Sequence, residues 1–374
     1  MHIALDGRTI QDHFPGIGRY TFNLARGLAE TGPADDILLL HNQGDPNTRF
    51  DLDVLRAWPN LSILESSSPC FSLVEQWRIP RRLRSHQSAL YHSPYYLMPY
   101  RAPCPAVVTV HDLIPLLYPH YFTPVQRLVF NVAVRLATRA ARIVVADSEA
   151  TAADLRRLLH LDSRKVRVVL AAADPTLIRP DDAAIANARS RYGLPKSYVL
   201  YVGSNKPHKN LTRLVEAWPL VRRRGQTQLV IAGSWDPAYN APKIAAARLG
   251  LETDIRWLGP IPQSDLAALY SGSALFVFPS EYEGFGLPVL EAMACGVPVI
   301  WSNRSSLPEV AGDAAILVDP HESEPWAETI EKLLEDDALR AAYGRRGLLQ
   351  AQQFTWGETA RQMRALYGHA LELW

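Results

Sequence analysis

Short apolar runs alternate with stretches of helical periodicity along the whole chain, and the alternation occurs twice. In the first half, apolar runs predict strands at His2–Asp6, Ile37–His41, Ala89–His92, Ala106–Val110, Ile143–Ala146 and Val166–Val169. Helical spacing predicts helices over Gly18–Ala29, Pro124–Ala141 and Glu149–Leu159. In the second half the strands are Tyr198–Val202, Gln228–Ala232, Ile255–Leu258, Ala274–Phe278, Val297–Ile300 and Ile316–Val318. Helices fit Leu211–Arg224, Pro242–Leu249, Leu287–Cys295, Pro325–Leu334 and Ala338–Gln352, with a last one over Glu358–Leu373. Strands that are apolar throughout and separated by helices imply parallel sheets covered on both faces.

The same alternation repeated suggests an α/β chain of two Rossmann-like domains. The stretch Ala171–Asp182 has two prolines and no periodicity, and reads as the linker. The expected division is 1–173, with the helix 356–374 packing back on it, and 174–355. A length of 374 residues suits two such domains. Hydrophobic content of 48% and charged content of 21% are those of a folded globular chain. Three scattered cysteines, Cys70, Cys104 and Cys295, form no disulfide framework or zinc pattern and fit a reducing compartment. The N-terminus reads directly as a strand with no signal peptide before it, and no apolar run approaches a membrane span. A cytoplasmic chain is therefore expected, with a peripheral place on the inner face of the membrane left open. Up to Ala173 there are 19 Lys+Arg against 15 Asp+Glu, and beyond it 20 against 23. That asymmetry is too small for nucleic-acid binding, but it leaves room for an anionic partner in the first half.

Ligands of doubly wound sheets bind beyond the carboxyl ends of strands, so candidate chemistry is sought there. The segment Ser280-Glu-Tyr-Glu-Gly-Phe-Gly-Leu-Pro-Val-Leu-Glu291 follows one apolar strand and enters a helix. Gly284 and Gly286 leave its backbone open to a ligand, and the N–H groups of a helix start favour an anion. Glu283 and Glu291 are positioned to address one bound molecule at two points, where carboxylates accept from paired hydroxyls. Lys209 lies on another strand-to-helix loop, and His111 follows the strand ending at Val110. No Asp-x-Asp cluster stands where a divalent ion would be needed, and the histidines show no metal-ligand spacing, so no metal is expected. The arginine-rich stretch Trp77-Arg-Ile-Pro-Arg-Arg-Leu-Arg84 reads as a helix with a solvated cationic face, or alternatively as a segment resting on anionic lipid. Pro80 is expected to break any long amphipathic helix there.

These segments resemble family 4 of the retaining glycosyltransferases, which have the GT-B fold. Glu283 to Glu291 looks like its Glu-x7-Glu motif, Pro15-Gly-Ile-Gly-Arg-Tyr20 like its glycine-rich first loop, and Val110-His-Asp-Leu-Ile-Pro115 like its histidine loop. Gly203-Ser-Asn-Lys-Pro-His-Lys-Asn210 is similar to its basic phosphate loop, and Leu258–Pro262 and Ser305–Asp313 fit its second domain. The resemblance implies two domains facing across a cleft, with Glu283 on the transferred sugar and Glu291 on the ribose. It implies that the N–H groups of Phe285, Gly286 and Leu287 face sugar or diphosphate, that Lys209 neutralises the diphosphate, and that His111 sits beside the donor sugar. Gly16 and Gly18 would let the first loop approach the diphosphate or acceptor. Many relatives carry an arginine where this chain has Ser204, so Lys206 or His208 would substitute for it, or one cation would suffice.

The implied activity is hexosyl transfer without cofactor or metal, from a nucleotide sugar to a glycan or lipid-linked acceptor in surface-polysaccharide assembly. Mannose from GDP-mannose is favoured; a UDP-sugar donor or a non-catalytic nucleotide-sugar-binding subunit are the alternatives. A nicotinamide oxidoreductase is rejected, because Thr21 stands where the third glycine of its fingerprint belongs.

Overall fold

Ile3, Ala4 and Leu5 have no solvent exposure because β1 (His2–Asp6) lies inside a parallel sheet with a neighbour on each side. The computed structural model describes the backbone of residues 1–374 and the side chains of all but Arg223 and Arg224. The chain forms two units, Met1–Ala171 with Phe354–Trp374, and Ala172–Gln353.

The first unit also contains β2 (Asp36–His41), β3 (Leu61–Glu65), β4 (Leu90–Ser93), β5 (Ala106–Val110), β6 (Ile143–Ala146) and β7 (Val166–Val168), in the order β3-β2-β1-β4-β5-β6-β7. Winding reverses between β1 and β4, which leaves a crevice at their carboxyl ends. On one face, Ile79 and Leu83 of the helix Glu75–Ser85 join Phe130, Val134 and Ala137 of the helix Pro124–Ala140 in a core over Tyr91, Val108 and Val144. A capping box of Thr123 and Gln126 starts the second of these helices.

The terminal helix Trp356–Glu372 packs against the helix Pro15–Thr31 so closely that a Cβ on Gly27 would lie 2.7 Å from the carbonyl oxygen of Trp356. Thr359 donates to the Leu170 carbonyl at 2.7 Å, and Arg364 donates to Asp35 at 2.6 Å. Tyr367 meets Nδ1 of buried His92 at 2.6 Å.

Beneath the β1 carboxyl end, the fully enclosed Arg8 guanidinium donates to Asp6 Oδ1 at 2.8 Å and Oδ2 at 2.7 Å, and to Glu75 at 2.8 Å. The Tyr91 hydroxyl donates to Asp6 at 2.6 Å, so three chain segments meet at one buried charge cluster.

The second unit contains β8 (Tyr198–Val202), β9 (Gln228–Ala232), β10 (Ile255–Gly259), β11 (Leu275–Phe278), β12 (Val299–Ser302) and β13 (Ile316–Val318), in the order β10-β9-β8-β11-β12-β13. All recorded strand pairings are parallel in both sheets, as the continuous apolar runs predict.

Several elements differ from the expectations. β3 and the helices Asp182–Tyr192 and Gln263–Gly272 were not predicted as such. The helix Glu75–Ser85 runs through Pro80, where burial of Ile79, Pro80 and Leu83 offsets the lost N–H bond. The helix expected over Leu211–Arg224 stops at Ala217 and tightens to a 3₁₀ turn at Trp218–Leu220, where Pro219 has no N–H to continue it; the side chain of its expected last residue, Arg224, lies outside those described. Among the described residues no helix is long and apolar enough to cross a membrane.

Candidate functional site

At the switch point of the second sheet, the loops after β8 and β11 are built to meet. Gly233, with φ +132°, lets the turn after β9 press on Gly203, where a Cβ would come within 2.1 Å of the Gly203 carbonyl oxygen. Asn205 then ties the β8 loop to the β9 loop, donating to the carbonyls of Asp236 and Tyr239 at 2.8 Å each and accepting from the Asp236 N–H at 2.7 Å. The Tyr201 hydroxyl donates to the Ser204 carbonyl at 2.7 Å. In the 3₁₀ turn Pro207–Lys209, the His208 carbonyl accepts from the Glu281 N–H at 2.8 Å and the Ser280 hydroxyl at 3.0 Å.

That staple brings Lys209 onto Glu283. The ammonium donates to both carboxylate oxygens at 2.7 Å and lies 5.5 Å from the Phe278 ring centroid. Both side chains are mostly buried, which strengthens their attraction and lets a polar ligand compete for either one. Ser305 and Ser306 donate to the Glu283 carbonyl at 2.6 and 3.0 Å, and Ser306 also donates to the Phe285 carbonyl at 3.1 Å. Gly284 therefore lies in a segment held on both sides. Gly286, with φ +101°, starts the helix Leu287–Ala294, and a Cβ there would fall 2.6 Å from the Trp301 ring. The first turn of that helix supplies N–H groups for an anion.

Glu291 lies within this helix at 1% exposure and accepts from the Tyr270 hydroxyl at 3.0 Å. Lys206 is exposed on the basic loop, whereas His208 is buried. Burial first, then Lys209 and Lys206, pushes His208 well below its ordinary value, so it is uncharged at neutral pH. Of the two candidate substitutes for the missing arginine, His208 is therefore neutral and Lys206 is exposed.

Gly16 and Gly18 are not on a loop: both lie in the first turn of the helix Pro15–Thr31. At Gly18 a Cβ would meet the Thr9 carbonyl oxygen at 2.7 Å and the Phe50 ring at 2.9 Å. The small residue there is required by packing, while the space beside Gly16 is open.

In the first unit, His111 follows β5 with both ring nitrogens engaged. Nδ1 is 2.9 Å from Asp147 Oδ2, and Nε2 is 2.9 Å from the Pro94 carbonyl oxygen. Two acceptors require two donors, so the ring is an imidazolium. Burial opposes that charge, but the Asp147 hydrogen bond and charge, the Pro94 carbonyl and Asp112 outweigh it and raise the pKa above 6.5. The neighbouring His92 goes the other way: burial first, then the charge of His111, pushes it down to about 3. It sits neutral between Thr109 and Tyr367. Tyr20 meets the His111 ring edge-on, with centroids 4.8 Å apart.

The raised value of His111 means that its pair with Asp147 stabilises the unit fully below its ordinary 6.5, and that this contribution is lost as pH rises through the folded-state value. Asp147→Asn is expected to move the His111 titration downward, read from ring resonances by NMR across pH. An unmoved titration would remove Asp147 as the source of the charge.

Asp147, Arg8, Asn205, Tyr270 and the bonds from Ser305 and Ser306 to the Glu283 segment were not anticipated. Only Arg8 left a usable signal, an Asp-x-Arg directly after a strand. A concavity of about 840 Å³ bounded by Arg222, Glu324, Glu328 and Glu331 contains none of the candidate residues. Among the described residues no group of three or more His, Cys, Asp or Glu is arranged to hold a metal.

Residues 15–177 match the family model described as Glycosyltransferase Family 4, and residues 186–350 match the model of Glycosyl transferases group 1. The chain is 31% identical to the O-antigen chain mannosyltransferase B of Escherichia coli, across 97% of this chain and 98% of that protein. It is 29% identical to the serotype-specific mannosyltransferase WbdA of Escherichia coli, across 96% of this chain and 47% of that protein. In fold it is similar to sucrose-phosphate synthase from Thermosynechococcus elongatus, with a TM-score of 0.80, 24% identity, and coverage of 100% of this chain and 99% of the other. With two parallel-sheet units and end-to-end similarity at this level, the chain belongs to the family 4 glycosyltransferases of the GT-B fold.

Proposed function

We propose that this glycosyltransferase moves a mannosyl residue, with retention at the anomeric carbon, from GDP-mannose to the growing end of a glycan or lipid-linked glycan of a bacterial surface polysaccharide. The sugar and pathway are supported by similarity to the O-antigen chain mannosyltransferase over nearly the full length of both proteins. The chemistry is supported by one observation above all, the Lys209–Glu283 pair at the carboxyl edge of β8 and β11.

In this reading the donor divides that pair. Hydroxyls of the transferred sugar donate to Glu283, while the ammonium of Lys209 turns to the diphosphate, helped by Lys206 and the first turn of the helix Leu287–Ala294. The bond from the anomeric carbon to the diphosphate oxygen breaks as the acceptor oxygen bonds on the same face. The acceptor proton passes to the departing phosphate oxygen. Lys209 counters the charge that develops there, and no metal is required. Glu291 binds the ribose once the donor draws it away from Tyr270.

Thermal-shift titration with GDP, UDP, ADP and dTDP, followed by transfer from GDP-mannose with NMR of the product's anomeric proton, tests the reading. GDP is expected to raise the melting temperature most, and the product to keep the α configuration of the donor. Stabilisation by UDP alone, with consumption of a UDP-hexose, would overturn the donor assignment. An inverted product would overturn the mechanism.

A further inference from the structure

Gly284 and Gly286 give residues 283–287 wide backbone freedom, in a site whose chemistry needs fixed groups. Phe285 is buried, and its ring fixes where the segment lies but not which way its peptide planes turn. Serine hydroxyls supply that second constraint. Ser302 donates to the Ser280 carbonyl at 2.5 Å, Ser280 to the Tyr282 carbonyl at 3.1 Å, and Ser305 to the Glu283 carbonyl at 2.6 Å. The one proton of the Ser306 hydroxyl is shared between the carbonyls of Glu283 at 3.0 Å and Phe285 at 3.1 Å. Ser305 and Ser306 stand on the loop after β12, which the Asn303 N–H anchors on the Val318 carbonyl at 3.0 Å.

These bonds have a direction. In a trans peptide the carbonyl and the N–H that follows it point opposite ways. The carbonyls of Glu283 and Phe285 point to the loop after β12, so the N–H groups of Gly284 and Gly286 turn away from it. The strand order β8-β11-β12 places the loop after β8, with Lys209, on that other side. Glu283 is thus strung between two loops, its main-chain carbonyl held by the serines of one and its carboxylate by the lysine of the other.

Ser305 also has a φ of +56°, in the left-handed region where a side chain is strained and glycine is favoured. A glycine would fold there at lower cost, and what the serine adds is the hydroxyl on the Glu283 carbonyl.

We propose that Ser305 and Ser306 are positioning residues for sugar transfer. Acting through main-chain carbonyls, they set the angle at which Glu283 meets the transferred sugar and turn the Gly286 N–H toward the departing diphosphate. Neither hydroxyl touches the substrate. The assignment rests on the reading of Lys209 and Glu283 as the donor site, and it names the groups that preorganise that site.

Ser305→Gly deletes the hydroxyl and relieves the strain together, so stability and activity should move apart. Its melting temperature is expected within about 3 °C of wild type, since the relieved strain offsets the lost hydrogen bond. Its kcat/KM for the donor should nevertheless fall about tenfold, mainly in kcat. Adding Ser306→Ala should take the loss to about a hundredfold. Isothermal titration uses whichever of GDP, UDP, ADP and dTDP stabilises wild type most, together with the matching monophosphate. The double variant should narrow the preference for the diphosphate by at least about threefold.

Transfer by the double variant within about threefold of wild type overturns the proposal. So does a Ser305→Gly enzyme whose turnover returns when the assay is cooled in step with its melting temperature, because the serine would then support the fold alone. Lys209→Ala measured alongside separates this assignment from the reading beneath it. If that variant also transfers like wild type, the donor site itself is misplaced. A crippled Lys209→Ala beside active serine variants removes only the serines.

Discussion

Lys209→Ala is expected to lower kcat/KM for sugar transfer by about three orders of magnitude, the scale of losing a preorganised group at a developing charge. The ammonium sits 2.7 Å from both Glu283 oxygens, so its removal has a second consequence. It leaves a carboxylate of 7% exposure without its cation, and breaking such a pair costs about 3 kcal/mol or more. The two effects separate in a double variant. Adding Glu283→Gln to Lys209→Ala removes the orphaned charge and should recover most of the lost thermal stability, while transfer stays at the level of the single variant or below. Turnover with the accepted donor and melting temperature are the two measurements. A Lys209→Ala enzyme within tenfold of wild type would detach this lysine from the reaction. If both stability and turnover recovered in the double variant, the pair would be a structural contact alone.

Arg8→Ala should be the most damaging single change to the first unit, with an expected loss of about 3–5 kcal/mol. Arg8 pairs with both Asp6 and Glu75, whose side chains are almost fully buried, and Tyr91 depends on the same cluster through Asp6. Burial already holds the Glu75 carboxyl above its ordinary value despite the opposing charge of Arg8, so without that charge the site can relax only by taking up protons or water. For a unit of this size the loss corresponds to a drop of about 10 °C in melting temperature. Calorimetry should show it in the transition of the unit Met1–Ala171 with Phe354–Trp374, leaving that of Ala172–Gln353 in place. Arg8→Lys, which keeps the charge without the forked donors, should fall between the two. An Arg8→Ala protein that melts within about 2 °C of wild type would show that water replaces the guanidinium at little cost.

The sequence revealed those parts of the fold in which burial is uniform along an element. β1, β5, β6, β8 and β11 are buried on both faces and stand out as unbroken apolar runs. β3 is an edge strand with one fully covered position, Leu61, and so carries almost no such signal. The helix Asp182–Tyr192 packs only Ile185 and Ala188 and has no marked apolar stripe. The Trp77–Arg84 stretch is legible as a helix, but its continuity through Pro80 is not, because the cost of that proline is offset by contacts distant in sequence.

The candidate site shows the same division. His111 is legible because it directly follows an apolar strand, and Glu283 and Lys209 because they lie on the loops that follow two others. Their partners are not legible, since Asp147 lies 36 residues from His111 and Ser306 lies 23 residues from Glu283. Gly18 was read as a ligand-facing glycine because a helix start and a loop share glycine and proline as signals. Its real constraint, the Thr9 carbonyl, becomes visible only in three dimensions.

The helix Trp356–Glu372 completes the first unit although all of Ala172–Gln353 precedes it along the chain. During synthesis on a ribosome, the groups that await it, the carbonyl of Leu170 and the imidazole of His92, emerge long before their partners Thr359 and Tyr367. The inserted second unit can therefore finish folding first, against the usual N-to-C sequence. A premature stop codon shortly after Gln353 would spare the unit it follows and cripple the one made earliest.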